Sequence, residues 1–276
     1  MSGPDTALAT ELADLALDVA REAAALVAER RRGEVSVAAT KTSDVDVVTE
    51  ADRATEALVR ERLLAARPDD AVLGEEGDDV AGTSGVRWVV DPIDGTVNFL
   101  YGLPQYAVCL AAEVDGEVVA GVVLDVAKAV EYVARPGEDG RTVALRDGRP
   151  IGVGPVRPVD QRLVGTGFSY LREVRVLQGA AVAAMLPRVR DVRRLGSCAL
   201  DLCHVAEGLL DGYVEEGVHL WDHAAAGLVA RAAGARTELG TGAGGLELLV
   251  CGPAHGFDEL VGLTRDCGFW TVEDTE

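Results

Sequence analysis

The stretch Trp88-Val89-Val90-Asp91-Pro92-Ile93-Asp94-Gly95-Thr96-Val97-Asn98-Phe99 constrains this chain more than any other. Its apolar start, Trp88 to Val90, reads as a short buried strand. Pro92 fixes its own φ and removes a ladder donor, so the strand is expected to stop there. Gly95 permits a tight backbone turn, and Thr96 suits the opening of a helix. Two carboxylates, Asp91 and Asp94, therefore stand at a strand end beside amides that can face an anion. Mg²⁺ takes one or two carboxylates together with substrate phosphate, so such a turn can hold both. The same residues also suit a plain acidic turn whose aspartates cap a helix or bond their own backbone. One motif does not decide between the two.

Along the rest of the chain, Leu8, Leu12, Leu15, Val19, Ala23 and Leu26 recur at helical steps and predict a first helix that ends by Gly33. A polar loop with Lys41, Ser43 and Asp44 follows. Thr49-Glu50-Ala51-Asp52 opens a second helix that runs to Pro68, with Asp52 placed for a capping box. A short strand, Ala71 to Leu73, ends in Gly74-Glu75-Glu76-Gly77, where acids again follow a strand. Tyr106 to Val114 and Glu117 to Leu124 form a hairpin about Asp115-Gly116, and Val130 to Ala134 adds a strand. The Gly- and Pro-rich stretch Pro136 to Pro158 shows no periodicity and marks a boundary. Residues 1–150 then form an α+β half with most of the candidate ligands, and residues 151–276 an α/β half that completes the site. In the second half, strands at Leu163-Val164, Asp191 to Leu195, Gly212 to Glu215 and Leu246 to Cys251 alternate with helices. The helices are Arg172 to Leu186, Ser197 to Leu209, Asp222 to Ala233 and His255 to Asp266, which predicts a mixed or parallel sheet.

The formal charge of −20 argues against nucleic acid or an anionic membrane as partner. An anionic substrate would need local cations, which bound metal supplies. Five scattered cysteines without a CxxC read as reduced thiols of a cytoplasmic protein. The N-terminus has no signal-peptide pattern, and no apolar run reaches membrane-spanning length. The four histidines have no zinc spacing, so an all-oxygen site favours Mg²⁺ or Mn²⁺. Asp44 and Asp46 start like a calcium loop, but its glycine and terminal glutamate are missing. There is no G-x-S-x-G elbow and no phosphate loop, and the spacing of Asp91 and Asp94 disfavours an aspartyl-phosphate.

Taken in order, several motifs resemble the inositol monophosphatase family of metal-dependent phosphatases. They are Asp46-Val47-Val48-Thr49-Glu50-Ala51-Asp52, Gly74-Glu75-Glu76, the Trp88 to Phe99 stretch, Gly196-Ser197 with Asp201, and Trp221-Asp222-His223-Ala224-Ala225-Ala226-Gly227. The resemblance implies a layered αβαβα sandwich, usually a homodimer, that hydrolyses phosphate monoesters with Mg²⁺ and is lithium-sensitive. It implies that Glu75, Asp91, Asp94, Asp222 and the carbonyl of Ile93 bind metal. Thr96, bonded to Asp52, would with Glu75 activate water, and the amides of Gly95 and Thr96 would hold phosphate. Gly196, Ser197, Cys198 and Glu215 match positions on the alcohol side of the pocket, and Lys41 falls in a mobile loop near the site. Val97 replaces a frequent threonine and Ser197-Cys198 a Thr/Ala-type pair, with no ligand lost.

Tyr213-Val214-Glu215-Glu216-Gly217 resembles the segment that engages sugar-alcohol hydroxyls, so inositol 1-phosphate is the expected substrate. Glu216 is expected at the surface. Relatives acting on histidinol phosphate, fructose 1,6-bisphosphate or 3′-phosphoadenosine 5′-phosphate share the metal core, because specificity lies in the alcohol pocket. No basic or aromatic cluster suited to adenine is visible in the sequence. A catalytically silent regulatory relative is the alternative of another class. Four clustered carboxylates repel each other without metal, so the Glu75 loop and the segment from Lys41 are expected to be looser in the metal-free protein.

Overall fold

The computed structural model describes residues 6–33, 35, 37–40 and 47–271, so Lys41, Ser43, Asp44 and Asp46 lie outside the described residues. The first half begins with α1 (Thr6–Arg32), β1 (Val37–Thr40), β2 (Val47–Thr49) and α2 (Glu50–Ala66). It continues through β3 (Ala71–Gly74), β4 (Val86–Asp94), α3 (Thr96–Tyr101), β5 (Ala107–Val114), β6 (Glu117–Asp125), β7 (Val130–Pro136), β8 (Thr142–Arg146) and β9 (Arg149–Pro150). The second half holds β10 (Leu163–Thr166), α4 (Arg172–Met185), β11 (Asp191–Arg193), α5 (Cys198–Ala206) and β12 (Gly212–Glu216). It ends with α6 (Leu220–Ala232), β13 (Ala235–Thr241), β14 (Glu247–Pro253) and α7 (Phe257–Asp266).

Strands β3 to β9 form a seven-stranded sheet in sequence order, and the second sheet runs β11-β10-β12-β14-β13. In the second sheet β10 is parallel to β11 and β12, while β14 is antiparallel to β12 and β13, so the sheet is mixed. Period-two alternation gives each sheet two apolar faces. Trp88 and Val90 of β4 meet Leu12, Ala16 and Val59 of α1 and α2. Val89, between them, faces Leu200, Leu202 and Val229 of α5 and α6, which also cover Tyr213 and Leu249 of the second sheet. On the far side, Val214 and Val250 pack against Met185, Phe257 and Leu260 of α4 and α7. The order of layers is therefore αβαβα, the sandwich that the motifs imply.

Helix α6 approaches the large sheet closely. A Cβ built on Gly121 of β6 would lie 2.7 Å from the carbonyl oxygen of Ala225. Only a glycine on the strand, facing the alanine run of the helix, allows this contact, and it fixes the height of the first turn of α6 over the sheet.

Four expectations change. Strand β4 does not stop at Pro92 but runs to Asp94, because the register steps from Asp91↔Cys109 to Asp94↔Ala107 and a bulge absorbs the proline. The Gly/Pro-rich stretch is not structureless, since β8 and β9 pair about Asp147 and Gly148, both at positive φ. Strand β13 carries no alternation in sequence and forms because β14 supplies a complete antiparallel partner. Helix α6 starts at Leu220, ahead of Asp222, because Asp222 bonds back to the amide of His219.

Candidate active site

The six sequence-predicted acids reach the site at or near strand ends and helix starts. Parallel pairing of β3 with β4, Gly74 opposite Val90, leaves Glu75 beside Asp91. The bulge then turns the chain so that Asp91 and Asp94 both stay buried at the end of β4. Gly95 adopts φ of 96°, with α3 starting immediately after it. A Cβ there would lie 2.8 Å from the carbonyl oxygen of Gln105, so glycine is needed for both conformation and space.

The local-bonding roles anticipated for these acids are present, and each uses one oxygen. Asp91 Oδ1 accepts from the amide of Ile93 at 3.0 Å. Asp94 Oδ2 accepts from the Ser197 hydroxyl and, at 2.8 Å, from the amide of Ala199, which ties β4 to the start of α5. Asp222 Oδ2 accepts from the amide of His219 at 2.6 Å. Asp52 does both jobs expected of it. One oxygen closes the capping box with Thr49, whose amide donates to it at 2.8 Å, and the other accepts from the Thr96 hydroxyl at 3.1 Å. Thr96 also lies 3.0 Å from the carbonyl oxygen of Ile93.

The result is a cavity of about 360 Å³ lined by Glu75, Asp91, Ile93, Asp94, Gly95, Thr96, Gly196, Ser197, Cys198, Glu215 and Asp222. Every candidate residue of the sequence reading is among these except Asp52, which is fully buried behind Thr96. Lys41 lies outside the described residues. Tyr213 donates from its hydroxyl to Glu215 and holds it toward the cavity. Glu216 is not at the surface: it is buried on the other face of β12 and accepts from the amides of Gly244 (2.7 Å) and Leu246 (3.1 Å).

The electrostatics are those of crowded, buried carboxylates. Burial first, then the charges of Glu75, Asp94, Asp222 and Asp52, hold Asp91 well above the ordinary carboxylate range. Burial, followed by Glu75 and Asp94, does the same to Asp222. Burial raises Asp94 to about 7 despite the hydrogen bonds from Ser197 and Ala199. Asp52 and Glu215 are also raised by burial, against the hydrogen bonds they accept.

Among the described residues, Arg194 is the sole Lys or Arg lining the cavity. Among the described residues, no three His, Cys, Asp or Glu side chains converge tightly enough to cage an ion. The carboxylates feel one another's charge from a shared wall. The donor set, carboxylate and carbonyl oxygen without thiolate or imidazole, fits a hard divalent cation.

Sequence reasoning missed the lining residues Arg194, Phe168, Tyr170 and His219, and gave Tyr213 and Trp221, which stand inside its quoted motifs, no role of their own. Arg194, Phe168 and Tyr170 come from segments that no motif spacing links to the carboxylates. Asn98, inside the central motif, proves to be a brace. Its side-chain amide donates to the carbonyls of Gln105 and Leu195, both at 2.8 Å, and joins the turn after β4 to the loop before α5.

The family model for the inositol monophosphatase family matches residues 8–257 of the chain. The chain is 46% identical to the inositol-1-monophosphatase SuhB of Mycobacterium tuberculosis, over 99% of this chain and 100% of the relative. It is 33% identical to the Nus factor SuhB of Escherichia coli, over 80% of this chain and 82% of the relative. Among solved structures, SuhB of M. tuberculosis superposes with a TM-score of 0.78 at 42% identity, covering 94% of this chain and 97% of the other. Sequence, layer order and the placement of the motif residues in one cavity agree, and the chain belongs to the inositol monophosphatase family.

Proposed function

We propose that the chain is a Mg²⁺-dependent phosphatase that hydrolyses phosphate monoesters of polyols, with inositol 1-phosphate as its substrate. The observation that carries this reading is the meeting of Glu75, Asp91, Asp94 and Asp222 with the Asp52–Thr96 pair at one cavity whose other side holds Glu215. Glu75, Asp91, Asp94, Asp222 and the carbonyl of Ile93 would hold Mg²⁺, and the same oxygens suit Mn²⁺. When bound, the metal supplies Lewis acidity, lowering the pKa of water and stabilising charge on the leaving oxygen.

The remaining work falls to the chain. With its proton directed at Asp52, the Thr96 hydroxyl offers a lone pair that orients the attacking water together with Glu75. Asp52, raised by burial, can take up a proton through Thr96. The amides of Gly95 and Thr96 face the phosphate, while Asp94 and Asp222 border it. Glu215, held by Tyr213, accepts from the alcohol hydroxyls, and Gly196, Ser197 and Cys198 shape the wall beside them.

The test is phosphate release with Mg²⁺ from inositol 1-phosphate, histidinol phosphate, fructose 1,6-bisphosphate and 3′-phosphoadenosine 5′-phosphate, with Asp94→Asn as control. Preference for inositol 1-phosphate, lost in the variant, is expected. Preference for another ester would keep the chemistry and discard the polyol role of Glu215. No release from any ester, with metal bound, would favour a regulatory role, for which the similarity to a relative named a Nus factor is the supporting observation.

A further inference from the structure

Water held between Glu75 and Thr96 needs the two at a fixed separation, yet they sit on different segments, the loop after β3 and the first turn of α3. Residues 75–79 have no helix or strand of their own, and Val80 rejoins the sheet through a bridge to Val72. The loop takes partners from α2. Glu56, only 2% exposed, accepts from the amide of Glu76 through Oε2 at 2.7 Å and from the amide of Gly77 through Oε1 at 2.8 Å. Arg60, one turn further on, donates from Nε to the same Glu56 Oε1 at 2.8 Å. Its Nη1 donates to the carbonyl oxygen of Asp78 at 2.8 Å and its Nη2 to that of Gly77 at 3.3 Å.

The two glycines that flank Glu75-Glu76 make room for this clamp. A Cβ on Gly74 would lie 2.5 Å from Glu56 Oε1, and one on Gly77 2.8 Å from it. Burying a carboxylate costs free energy unless its oxygens are bonded, and here both are engaged by the amides that follow Glu75. Asp52 and Glu56 stand four residues apart, on one face of α2 and roughly 6 Å apart along its axis. Asp52 is also buried and accepts from the Thr96 hydroxyl at 3.1 Å. A single helix thus holds Thr96 with one carboxylate and the backbone beside Glu75 with the next.

We infer that Glu56, supported by Arg60, is a positioning residue that sets the Glu75 carboxylate relative to Thr96 and the other acids of the cavity. This rests on the reading of the site as a metal-dependent phosphatase, in which Glu75 holds the cation and directs water. Groups that orient a metal ligand without touching the metal change affinity or rate by about 10–100-fold when altered.

The test is Glu56→Gln, which keeps the shape but offers one oxygen to two loop amides and turns an NH2 group toward the other. Leu63→Ala, further along α2 and buried in the core, reports what destabilising that helix does by itself. In Glu56→Gln, amide hydrogen exchange at Glu76 and Gly77 should quicken by about tenfold or more, and the calorimetric Mg²⁺ Kd should rise by about tenfold. The kcat for inositol 1-phosphate should fall by about tenfold or more, with KM within threefold of wild type. Leu63→Ala should lower the melting temperature at least as far, while Mg²⁺ Kd and kcat stay within twofold. An unchanged Mg²⁺ Kd in Glu56→Gln, or the same losses in Leu63→Ala, overturns the inference, and ester hydrolysis by the wild type then leaves the phosphatase reading standing. If Glu56→Gln does not fold, Arg60→Lys takes its place, keeping the charge beside Glu56 but losing the fork to Gly77 and Asp78. Faster exchange at Gly77 with a Kd raised at least twofold supports the inference, and values equal to wild type overturn it. If the wild type binds Mg²⁺ but hydrolyses no ester, the phosphatase reading fails, and exchange and Kd decide the positioning role alone. A wild type that binds no Mg²⁺ overturns both.

Discussion

Thr96 has one hydroxyl proton and two acceptors within reach, Asp52 Oδ1 at 3.1 Å and the carbonyl oxygen of Ile93 at 3.0 Å. If Ile93 turns its carbonyl to a cation, the proton belongs to Asp52, and the hydroxyl lone pair is left for water. Thr96→Val removes the hydroxyl with little change of shape and should lower kcat by about 10²–10³-fold. Thr96→Ser should retain most of the activity. Steady-state kinetics on both variants check this, and a Val variant within twofold of wild type would remove Thr96 from the reaction. At this scale the central motif could be read directly, because Asp91, Asp94, Gly95 and Thr96 are neighbours in sequence and share one turn. The partners of Asp94 could not be inferred from spacing. Ser197 and Ala199 lie more than a hundred residues away and arrive only through the packing of α5. The choice of Glu215 over Glu216 rested on motif register alone, since strand alternation separates them without saying which face is the cavity, and the burial of Glu216 was not foreseen.

Among the elements, α6 matters most to the site, because its first turn carries Asp222 and its alanine run rests on Gly121. Gly121→Ala would push a methyl into the backbone of Ala225 and should cost about 1–3 kcal/mol. The displaced helix should also raise the Mg²⁺ concentration needed for half-maximal activity. Gly179 offers a contrast within α4, where an added Cβ meets nothing within 4 Å. Gly179→Ala should therefore stabilise by about 0.5–1 kcal/mol through helix propensity and a less flexible unfolded chain. Thermal unfolding of the two variants separates these cases, and destabilisation by both would show that the close approach of α6 to β6 is not the cause. Helices with strong periodicity and caps, such as α1 and α2, were legible within a residue or two. Strand β13 and the β8–β9 hairpin were not, because their pairing partners, rather than their own patterns, make them strands.

At the scale of the whole molecule, the crowded, buried carboxylates couple stability to pH and to cations. Asp94 titrates ordinarily at 3.8 and at about 7 in the folded chain, and Asp91 and Asp222 are displaced in the same direction. Between those pH values the unfolded chain has released protons that the folded chain still holds. The contribution of Asp94 is therefore fully present below about pH 4 and is lost as pH rises through 7. Mg²⁺ binds the ionised form, so the rise in melting temperature on adding it should be several degrees at pH 8 and much smaller at pH 5. At a hundred times its Kd a ligand contributes about 2.7 kcal/mol. Equal Mg²⁺ shifts at the two pH values, measured by calorimetry, would separate the cation from these carboxylates. The sequence alone determined the chemistry of the turn after Trp88 to Val90, the αβαβα order implied by its motifs, and the all-oxygen character of the site. The turn and the donor chemistry are local, carried by residue types a few positions apart, whereas the layer order was implied by the family resemblance of the motifs. Tertiary structure alone decided that a bulge carries β4 past Pro92, that Glu216 is buried while Glu215 faces the cavity, and that aromatic residues from separate segments line one cavity. Each of these depends on which distant segment packs alongside, and no pattern within a short window of sequence encodes that.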